Sequence, residues 1–285
     1  MKIGLNLWVW TSPFNTDRDL PLFGKVKSFG GEVIEFGLED DVKVDPQVLR
    51  RELEAHQLGC SIIGIFSPER DLASMDAACR QRAIDYTLRG LDLAAASGAA
   101  IFSGSVAGVG GEQGLSAVQW QECIRRAADE LEPLGQYAAK LGVRLGVEIL
   151  NRYENNLLNT AAQARKLVDL VQSPAVGIHL DSFHMNIEET DMMEAVALAG
   201  DRLFHLHGSD SHRGTPGDGH VPWDRLGQAL QKINFQGFVV IESFNPAGRL
   251  APLARLWRPL ADSQDELARQ GLEFLQEILR RKQVE

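Results

Sequence analysis

Eight short apolar runs, separated by stretches long enough for a helix and two loops, limit most strongly the folds open to this chain. Several are apolar almost throughout, as expected of strands that are covered on both faces. The runs are IGLNLWV (3–9), VIEFGLE (33–39), CSIIGIF (60–66), AIFSGSV (100–106), RLGVEIL (144–150), VGIHLDS (176–182), LFHLHGS (203–209) and FVVIES (238–243). This repetition predicts strands that alternate with helices.

Helical patterns lie between the runs. Residues 75–97 and 116–141 carry apolar side chains at helical spacing, and Pro133 is a point at which the second helix can kink or divide. A last helix is predicted over roughly 264–282, capped by Asp or Ser of "DSQDE". Eight strand–helix units favour an α/β fold of the (β/α)8 TIM barrel type over a doubly wound sheet, and no Gly-rich dinucleotide fingerprint follows the first run. We find no linker, so we expect a single domain over residues 1–285.

Each of the last four runs carries an acidic or imidazole side chain near its carboxyl end. These residues are Glu148, Asp181, His207 and Glu242. In a barrel of this type, the carboxyl ends of the strands form the active face. Side chains alternate between the two faces of a strand, so apolar neighbours such as Leu206 point towards the covering helices. We therefore expect the four polar groups to converge at the barrel mouth.

Three carboxylates and one imidazole form a hard, oxygen-rich donor set. Such a set suits a six-coordinate divalent ion, whereas structural zinc prefers thiolates and imidazoles. We expect one bound divalent ion such as Mn²⁺, Mg²⁺ or Co²⁺. The alternative is four isolated core side chains paired with Lys or Arg, which would bury costly charge at each position. His179 and His205, deeper on the same strands, are expected to be hydrogen-bonded or to support a ligand.

The charge and composition of the chain argue against nucleic acids and membranes as partners. The formal net charge of −10 argues against binding to the phosphate backbone of a nucleic acid. No apolar run reaches transmembrane length and the N-terminus has no cleavage-site pattern, so we expect no membrane association and a cytoplasmic location. Three scattered cysteines fit no metal or redox spacing and are expected to be reduced.

Four segments, in this order, resemble the ketose 3-epimerases of the xylose-isomerase-like barrel superfamily, which include the D-tagatose, D-psicose (allulose) and L-ribulose 3-epimerases. The segments are "EILNRYE", "HLDSFHMNIEE", "HGSDSHRGTPGDGHVPW" and "IESF". The resemblance covers essentially the whole chain and is most specific over residues 146–244. "ENNLLNTAAQA" and "LWRPLADS" are most similar to the L-ribulose branch, whereas the first four runs match only in layout.

The resemblance implies a role for each matching residue. The implied metal ligands are Glu148, Asp181, His207 and Glu242, and the two glutamates of this set are the implied acid/base pair. The residues implied to hold the carbonyl end of the sugar are Glu154, His184 and Arg213. Candidates for the aromatic distal pocket of the family are Trp8, Trp10, Phe14 and Phe66. A homodimer or homotetramer is also implied.

The implied reaction is metal-dependent epimerisation at C3 of free ketoses such as L-ribulose, D-tagatose, D-fructose and D-psicose. One glutamate removes the C3 proton and the other returns a proton from the opposite side, through a metal-stabilised cis-enediolate. The alternatives on the same barrel are an aldose–ketose or hydroxypyruvate isomerase and an inosose-type dehydratase. A metal-dependent endonuclease would need more histidine ligands and a basic groove. The sequence has no clear cluster of basic residues that could bind a phosphate group, which favours free sugars over sugar phosphates as substrates.

Overall fold

The computed structural model describes residues 1–111 and 114–281, and in them eight strands close into a barrel. The strands are β1 (Lys2–Asn6), β2 (Val33–Leu38), β3 (Gly59–Gly64), β4 (Ile101–Gly104), β5 (Arg144–Glu148), β6 (Val176–Asp181), β7 (Leu203–His207) and β8 (Phe238–Ile241). Each strand pairs in parallel with its neighbours in the chain, and β1 pairs with β8. The predicted (β/α)8 TIM barrel is confirmed.

Helices connect the strands. They are α1 (Pro21–Ser28), α2 (Pro46–His56), α3 (Ala77–Ser97), α4 (Ala117–Leu141), α5 (Ala161–Leu170), α6 (Ser182–Glu188), α7 (Met192–Ala199), α8 (Trp223–Lys232) and α9 (Gln264–Arg280). Ser116 and Thr160 form capping boxes at the starts of α4 and α5. The predicted cap of the last helix is Ser263, which accepts from the backbone N–H of Glu266. Residue 282, the predicted end of this helix, lies outside the described residues.

Helix α4 runs through Pro133 without a division. Proline lacks the N–H that would bond to the carbonyl four residues earlier. Pro133 lies on the exposed side of the helix, where water can satisfy that carbonyl. None of the helices in the described ranges is long and apolar enough to cross a membrane.

The predicted apolar runs extend beyond the observed strands. β1 stops at Asn6 because the side chain of Asn6 accepts from the backbone N–H of Trp8, at 2.8 Å, and starts a turn of 3₁₀ helix over Leu7–Val9. β8 ends at Ile241, so Glu242 is the first residue after the strand rather than a residue within it. The carboxyl ends of the strands therefore lead directly into short segments that shape the barrel mouth.

Candidate active site

The four residues predicted to converge at the barrel mouth do so around the ring of His207. The Nδ1 atom of His207 lies 3.6 Å from Glu148 Oε1, 3.8 Å from Asp181 Oδ2 and 3.3 Å from Glu242 Oε1. Three of the residues end β5, β6 and β7, and the fourth follows β8. All four are buried, with Glu148 the most exposed at 7%. Three carboxylates thus face one imidazole nitrogen in a largely buried site.

These residues fit a divalent ion. One donor atom from each of Glu148, Asp181 and His207 lies within 4.8 Å of the others. His207 Nδ1 is buried and has no hydrogen-bond partner among the described residues, while Nε2 of the same ring lies 2.7 Å from Glu35 Oε1. A nitrogen lone pair beside carboxylate oxygens is the donor chemistry of a Mn²⁺-like ion. Clustered buried carboxylates also need a nearby positive charge.

Arg213 supplies positive charge within the cluster. Its Nη1 atom lies 2.6 Å from Asp181 Oδ2 and forms an ion pair with Glu242 Oε2, and its Nη2 atom lies 3.1 Å from His184 Nε2. The backbone of Arg213 is left-handed, with φ 65°, and its carbonyl accepts from the hydroxyl of Ser243 at 2.7 Å. The family resemblance implied that Arg213 holds the carbonyl end of the sugar. The structure buries this arginine against two of the predicted metal ligands.

The two glutamates have opposite pKa shifts. Burial raises the pKa of Glu148 well above its ordinary value, and the nearby carboxylates of Glu242 and Asp181 add to this rise. Burial also acts to raise the pKa of Glu242, but Arg213 and His207 outweigh it and lower this pKa to about 2. Without a bound ion, the two carboxyl groups therefore differ in how readily they bind a proton.

The pKa values of Asp181 and His207 are also raised when no cation other than Arg213 is nearby. Burial raises the pKa of Asp181 to about 6, although Arg213 opposes the rise. Burial lowers the pKa of His207, but Glu242 and Glu35 outweigh it and hold this pKa well above the ordinary value. A metal ion that binds here must displace protons.

Glu154 and His184 lie beside this cluster. The amide of Asn151 joins them, since its Nδ2 donates to Glu154 Oε1 at 2.9 Å and lies 2.8 Å from His184 Nδ1. The backbone N–H of Asn151 also lies 3.1 Å from His184 Nδ1. His184 is 2% exposed, whereas the Glu154 side chain is 43% exposed. Asn151, which the sequence reading left without a role, thus orders both predicted substrate-binding residues.

A cavity of about 290 Å³ opens onto the cluster. Its wall includes the polar residues Glu148, Glu154, His184, Arg213 and Glu242. Two of the four predicted aromatic residues, Trp8 and Phe66, also line it. Trp8 packs against Gly37, where an added Cβ would lie 2.4 Å from the indole, and stacks on the ring of Phe244 at 5.4 Å.

The other two aromatic candidates for the distal pocket are not part of the described cavity wall. Trp10 donates from its indole N–H to Asp265 on α9, at 2.7 Å. Phe14 is buried in the core, where it packs against Phe23 and Phe36. An aromatic residue in an early segment is therefore a poor predictor of the pocket, because the same residue type also fills the core of the barrel.

The two deeper histidines lie behind the ring of His207. His205 Nε2 lies 2.8 Å from Glu35 Oε2, but the angles at this contact are not those of a hydrogen bond. His179 also has no hydrogen-bond partner among the described residues, so of the two expected roles the hydrogen-bonded ring is not observed, and support of a ligand stays a prediction. Its ring packs edge-on against His205 and His207, with centroids 4.4 and 4.2 Å away. Burial lowers the pKa of His179 well below its ordinary value, so the ring is neutral.

The sequence reading missed Glu35, a fully buried carboxylate in the middle of β2. Burial raises its pKa, but the nearby rings of His207 and His205 outweigh burial and hold the pKa well below the ordinary value. A signal was present, because Glu35 interrupts the apolar run VIEFGLE as Glu148 interrupts RLGVEIL.

The fold and this site define a xylose isomerase-like TIM barrel, and the family model of that description matches residues 23–278. Within that class, the chain belongs to the ketose 3-epimerase family, whose members are isomerases. It is 33% identical to the probable ketose 3-epimerase of Synechocystis sp. over 97% of this chain and 96% of that one. It is 32% identical to the ketose 3-epimerase of Arthrobacter globiformis, over 98% of this chain and 97% of that one.

A solved structure supports the same assignment. The D-psicose 3-epimerase of Clostridium cellulolyticum H10, crystallised with D-tagatose, is similar to this chain with a TM-score of 0.88 and 26% sequence identity. The match covers 98% of this chain and 99% of that chain. The predicted family is thus confirmed by sequence and by fold.

Proposed function

We propose that this protein catalyses the metal-dependent epimerisation of free ketoses at C3, with L-ribulose, D-tagatose, D-fructose and D-psicose as candidate substrates. The observation that carries the proposal is that Glu148 and Glu242 line one cavity from different strand ends, with both carboxyl groups beside Nδ1 of His207. A C3 epimerase needs such a pair, because one group must remove a proton and another must return it to the other face. The names of the relatives agree with this chemistry.

In the proposed reaction, two glutamates transfer protons and three further residues hold the sugar. An ionised glutamate removes the proton from C3, and the protonated glutamate delivers a proton to the opposite face, so the configuration at C3 inverts. Glu242 removes the proton from one epimer, and Glu148 removes it from the other. Glu154, His184 and Arg213 hold the carbonyl end of the sugar so that C3 lies between the two carboxyl groups.

A divalent ion completes the proposed site. Glu148, Asp181, His207 and Glu242 would hold it, with Mn²⁺ preferred and Co²⁺ or Mg²⁺ as alternatives. When bound, it supplies positive charge that stabilises the oxygen on which negative charge develops as C3 loses its proton.

The charges around the cavity support a free sugar as the substrate rather than a sugar phosphate. Arg213, which lines the cavity, is already paired with Asp181 and Glu242. Arg255 also lines the cavity, but it lies on an exposed stretch of the loop after β8. A phosphate binds tightly where two or more unpaired donors converge on it. The carboxylates in the wall would repel it instead.

A direct assay tests the proposed reaction. Protein freed of metal with EDTA would be incubated separately with L-ribulose, D-tagatose and D-fructose, with and without Mn²⁺, and the sugars separated by chromatography. The proposal predicts the 3-epimer of at least one ketose, and only when Mn²⁺ is present. An aldose product would assign the protein to the aldose–ketose isomerases, and rapid epimerisation in EDTA would exclude a metal-dependent reaction.

We also propose a homodimer or homotetramer in the cytoplasm, which rests on the family resemblance and on the sequence. Light scattering coupled to gel filtration measures the mass in solution. A particle of 31.4 kDa, the mass of one chain, would contradict the proposed oligomer.

Replacing Arg213 with alanine should raise KM and lower thermal stability in the metal-free protein. Loss of charge-assisted hydrogen bonds of about 1.5–3 kcal/mol corresponds to a rise in KM of about 10-fold or more. Breaking a buried ion pair costs about 3–5 kcal/mol, which lowers Tm by roughly 6–15 °C in a chain of this size. The loss in Tm should be smaller with Mn²⁺, because the ion supplies positive charge to the same carboxylates.

Arg269→Ala is the matched control, because Arg269 pairs with Glu266 and Glu273 on the exposed face of α9. It should leave KM unchanged and lower Tm by no more than about 2 °C. Equal changes in both variants would remove Arg213 from the proposed site.

Metal affinity should fall as the pH decreases. The pKa of Asp181 is about 6, and those of Glu148 and His207 are raised, so the metal-free site holds protons near neutral pH. Since a bound ion must displace them, the Kd for Mn²⁺ should be about tenfold or more higher at pH 5.5 than at pH 7.5. Calorimetry in two buffers of different ionisation enthalpy would count the protons released. No release at pH 6 would contradict binding by these side chains.

A further inference from the structure

Glu35 lies at the centre of a buried polar layer of the barrel. Its Oε1 accepts from Asn6 Nδ2 at 2.8 Å and lies 2.7 Å from His207 Nε2. Its Oε2 accepts from the hydroxyl of Ser61 at 2.8 Å and lies 2.8 Å from His205 Nε2. Asn6, Glu35 and Ser61 are register partners on three neighbouring strands, so the pairing of β1, β2 and β3 holds this layer together.

The direction of these hydrogen bonds follows from Asn6. The backbone N–H of Trp8 donates to Asn6 Oδ1 at 2.8 Å, which leaves the amide NH₂ of Asn6 pointing to Glu35. Glu35 Oε1 is therefore an acceptor on that side. Donors at both oxygens, from Asn6 and Ser61, favour the ionised form of Glu35, which has only acceptor sites. His207 must then carry a hydrogen on Nε2.

The position of this proton determines whether the nitrogen that faces the carboxylates, Nδ1, can act as a metal ligand. In a neutral ring with its hydrogen on Nε2, Nδ1 presents a lone pair, and Nδ1 is the atom that faces Glu148, Asp181 and Glu242. Glu35 itself is fully buried, at 0% exposed, and is not among the residues that line the described cavity. Its direct contact with the site is the ring of His207.

We propose that Glu35 is a positioning residue that holds His207 as its Nε2–H form, with Nδ1 directed at the metal site. The inference rests on the proposed function, because the metal ion is part of that proposal. A carboxylate behind a ligating histidine fixes the orientation of the ring and makes it a stronger ligand, and loss of such a partner costs about 10–100-fold in metal affinity.

Two substitutions of Glu35 test its negative charge and its hydrogen-bond acceptor separately. In Glu35→Gln, the amide oxygen can still accept from Asn6 and His207 while the NH₂ group faces Ser61, but the negative charge is lost. We expect the Kd for Mn²⁺ to rise about tenfold. In Glu35→Leu no acceptor remains, the ring is free to turn, and we expect a rise of about 100-fold. Ser61→Ala is the matched control, since it removes a donor to Oε2 and keeps the carboxylate; its Kd should change by no more than about twofold.

The test measures Mn²⁺ affinity by calorimetry and the protonation of His207 by ¹⁵N NMR in the Mg²⁺-loaded protein with labelled histidine. We expect Nε2–H in the wild type and in Glu35→Gln, and loss of this signature in Glu35→Leu. Thermal unfolding of each variant checks that the barrel is intact, and if Glu35→Leu does not fold, the wild-type spectrum and Glu35→Gln still decide.

Three outcomes overturn the proposal. If the wild type and the Glu35 variants bind Mn²⁺ with equal affinity, or if His207 has no hydrogen on Nε2 in the metal-loaded wild type, the role of Glu35 is overturned and the proposed function stands. If the wild type binds neither Mn²⁺ nor Mg²⁺, the proposed metal-dependent function and this role are overturned together.

Discussion

Replacing Glu148 or Glu242 with glutamine is expected to lower kcat for C3 epimerisation by about 10³-fold while the barrel remains folded. Glutamine keeps the shape of the side chain and an oxygen that can still contact a metal ion, but it cannot take up or release a proton at neutral pH. Both side chains line the cavity, where the proposed reaction needs one carboxyl group on each face of C3.

Isotope exchange separates the two glutamates. In D₂O, Glu148→Gln retains the carboxylate of Glu242, so the epimer that Glu242 deprotonates should exchange its C3 hydrogen without inversion. Glu242→Gln should show the same exchange with the other epimer. Glu273→Gln, on the exposed face of α9, is the control and should keep wild-type turnover. Turnover within tenfold of the wild type in either active-site variant would remove that residue from the proton transfer.

Replacing His207 with alanine is expected to raise the Kd for Mn²⁺ by at least about 100-fold. The loss of a partner behind a ligand already costs about 10–100-fold, and the loss of the ligand itself should exceed this. His207 is also the residue around which Glu148, Asp181 and Glu242 cluster, so its removal leaves three carboxylates without their shared imidazole.

His220→Ala is the control for His207→Ala, because His220 lies exposed on the loop after β7 and contacts Ser211 at 3.3 Å. Elemental mass spectrometry after dialysis gives the metal content of each variant. The wild type and His220→Ala should retain the metal, and His207→Ala should not. One ion per chain in His207→Ala would show that the ion binds elsewhere.

The sequence was sufficient for the fold and for the convergence of four side chains. The spacing of the apolar runs predicted the barrel, because strands covered on both faces are apolar and regularly separated. The carboxyl-end positions of Glu148, Asp181 and His207 then followed from the common direction of parallel strands. Both predictions depend on local pattern and chain direction, which a sequence records.

The strands were predicted to continue too far at their carboxyl ends, and the reason is physical. Residues just beyond the strands line the cavity or cover the core, so they are apolar too. Ile65 and Phe66 follow β3 and line the cavity, and Leu7–Val9 are buried after β1. Hydrophobicity reports burial, and burial continues where the strand hydrogen bonds have stopped.

Contacts between distant strands could not be read from the sequence. Glu35 on β2 meets His207 on β7 only because the sheet closes and places both side chains in the barrel interior. The ion pairs of Arg213 with Asp181 and Glu242 depend on a left-handed backbone in a loop. Such contacts depend on the angles and closure of the fold rather than on any local pattern of residues.

The most direct test of the proposed reaction is the position of deuterium in ketoses incubated with the protein and Mn²⁺ in D₂O. L-ribulose, D-tagatose and D-fructose would be offered separately and the sugars read by NMR after the ion is removed. Proton transfer by Glu148 and Glu242 predicts deuterium at C3 together with the new 3-epimer. Deuterium at C1 or C2 with an aldose product, and none at C3, would contradict it.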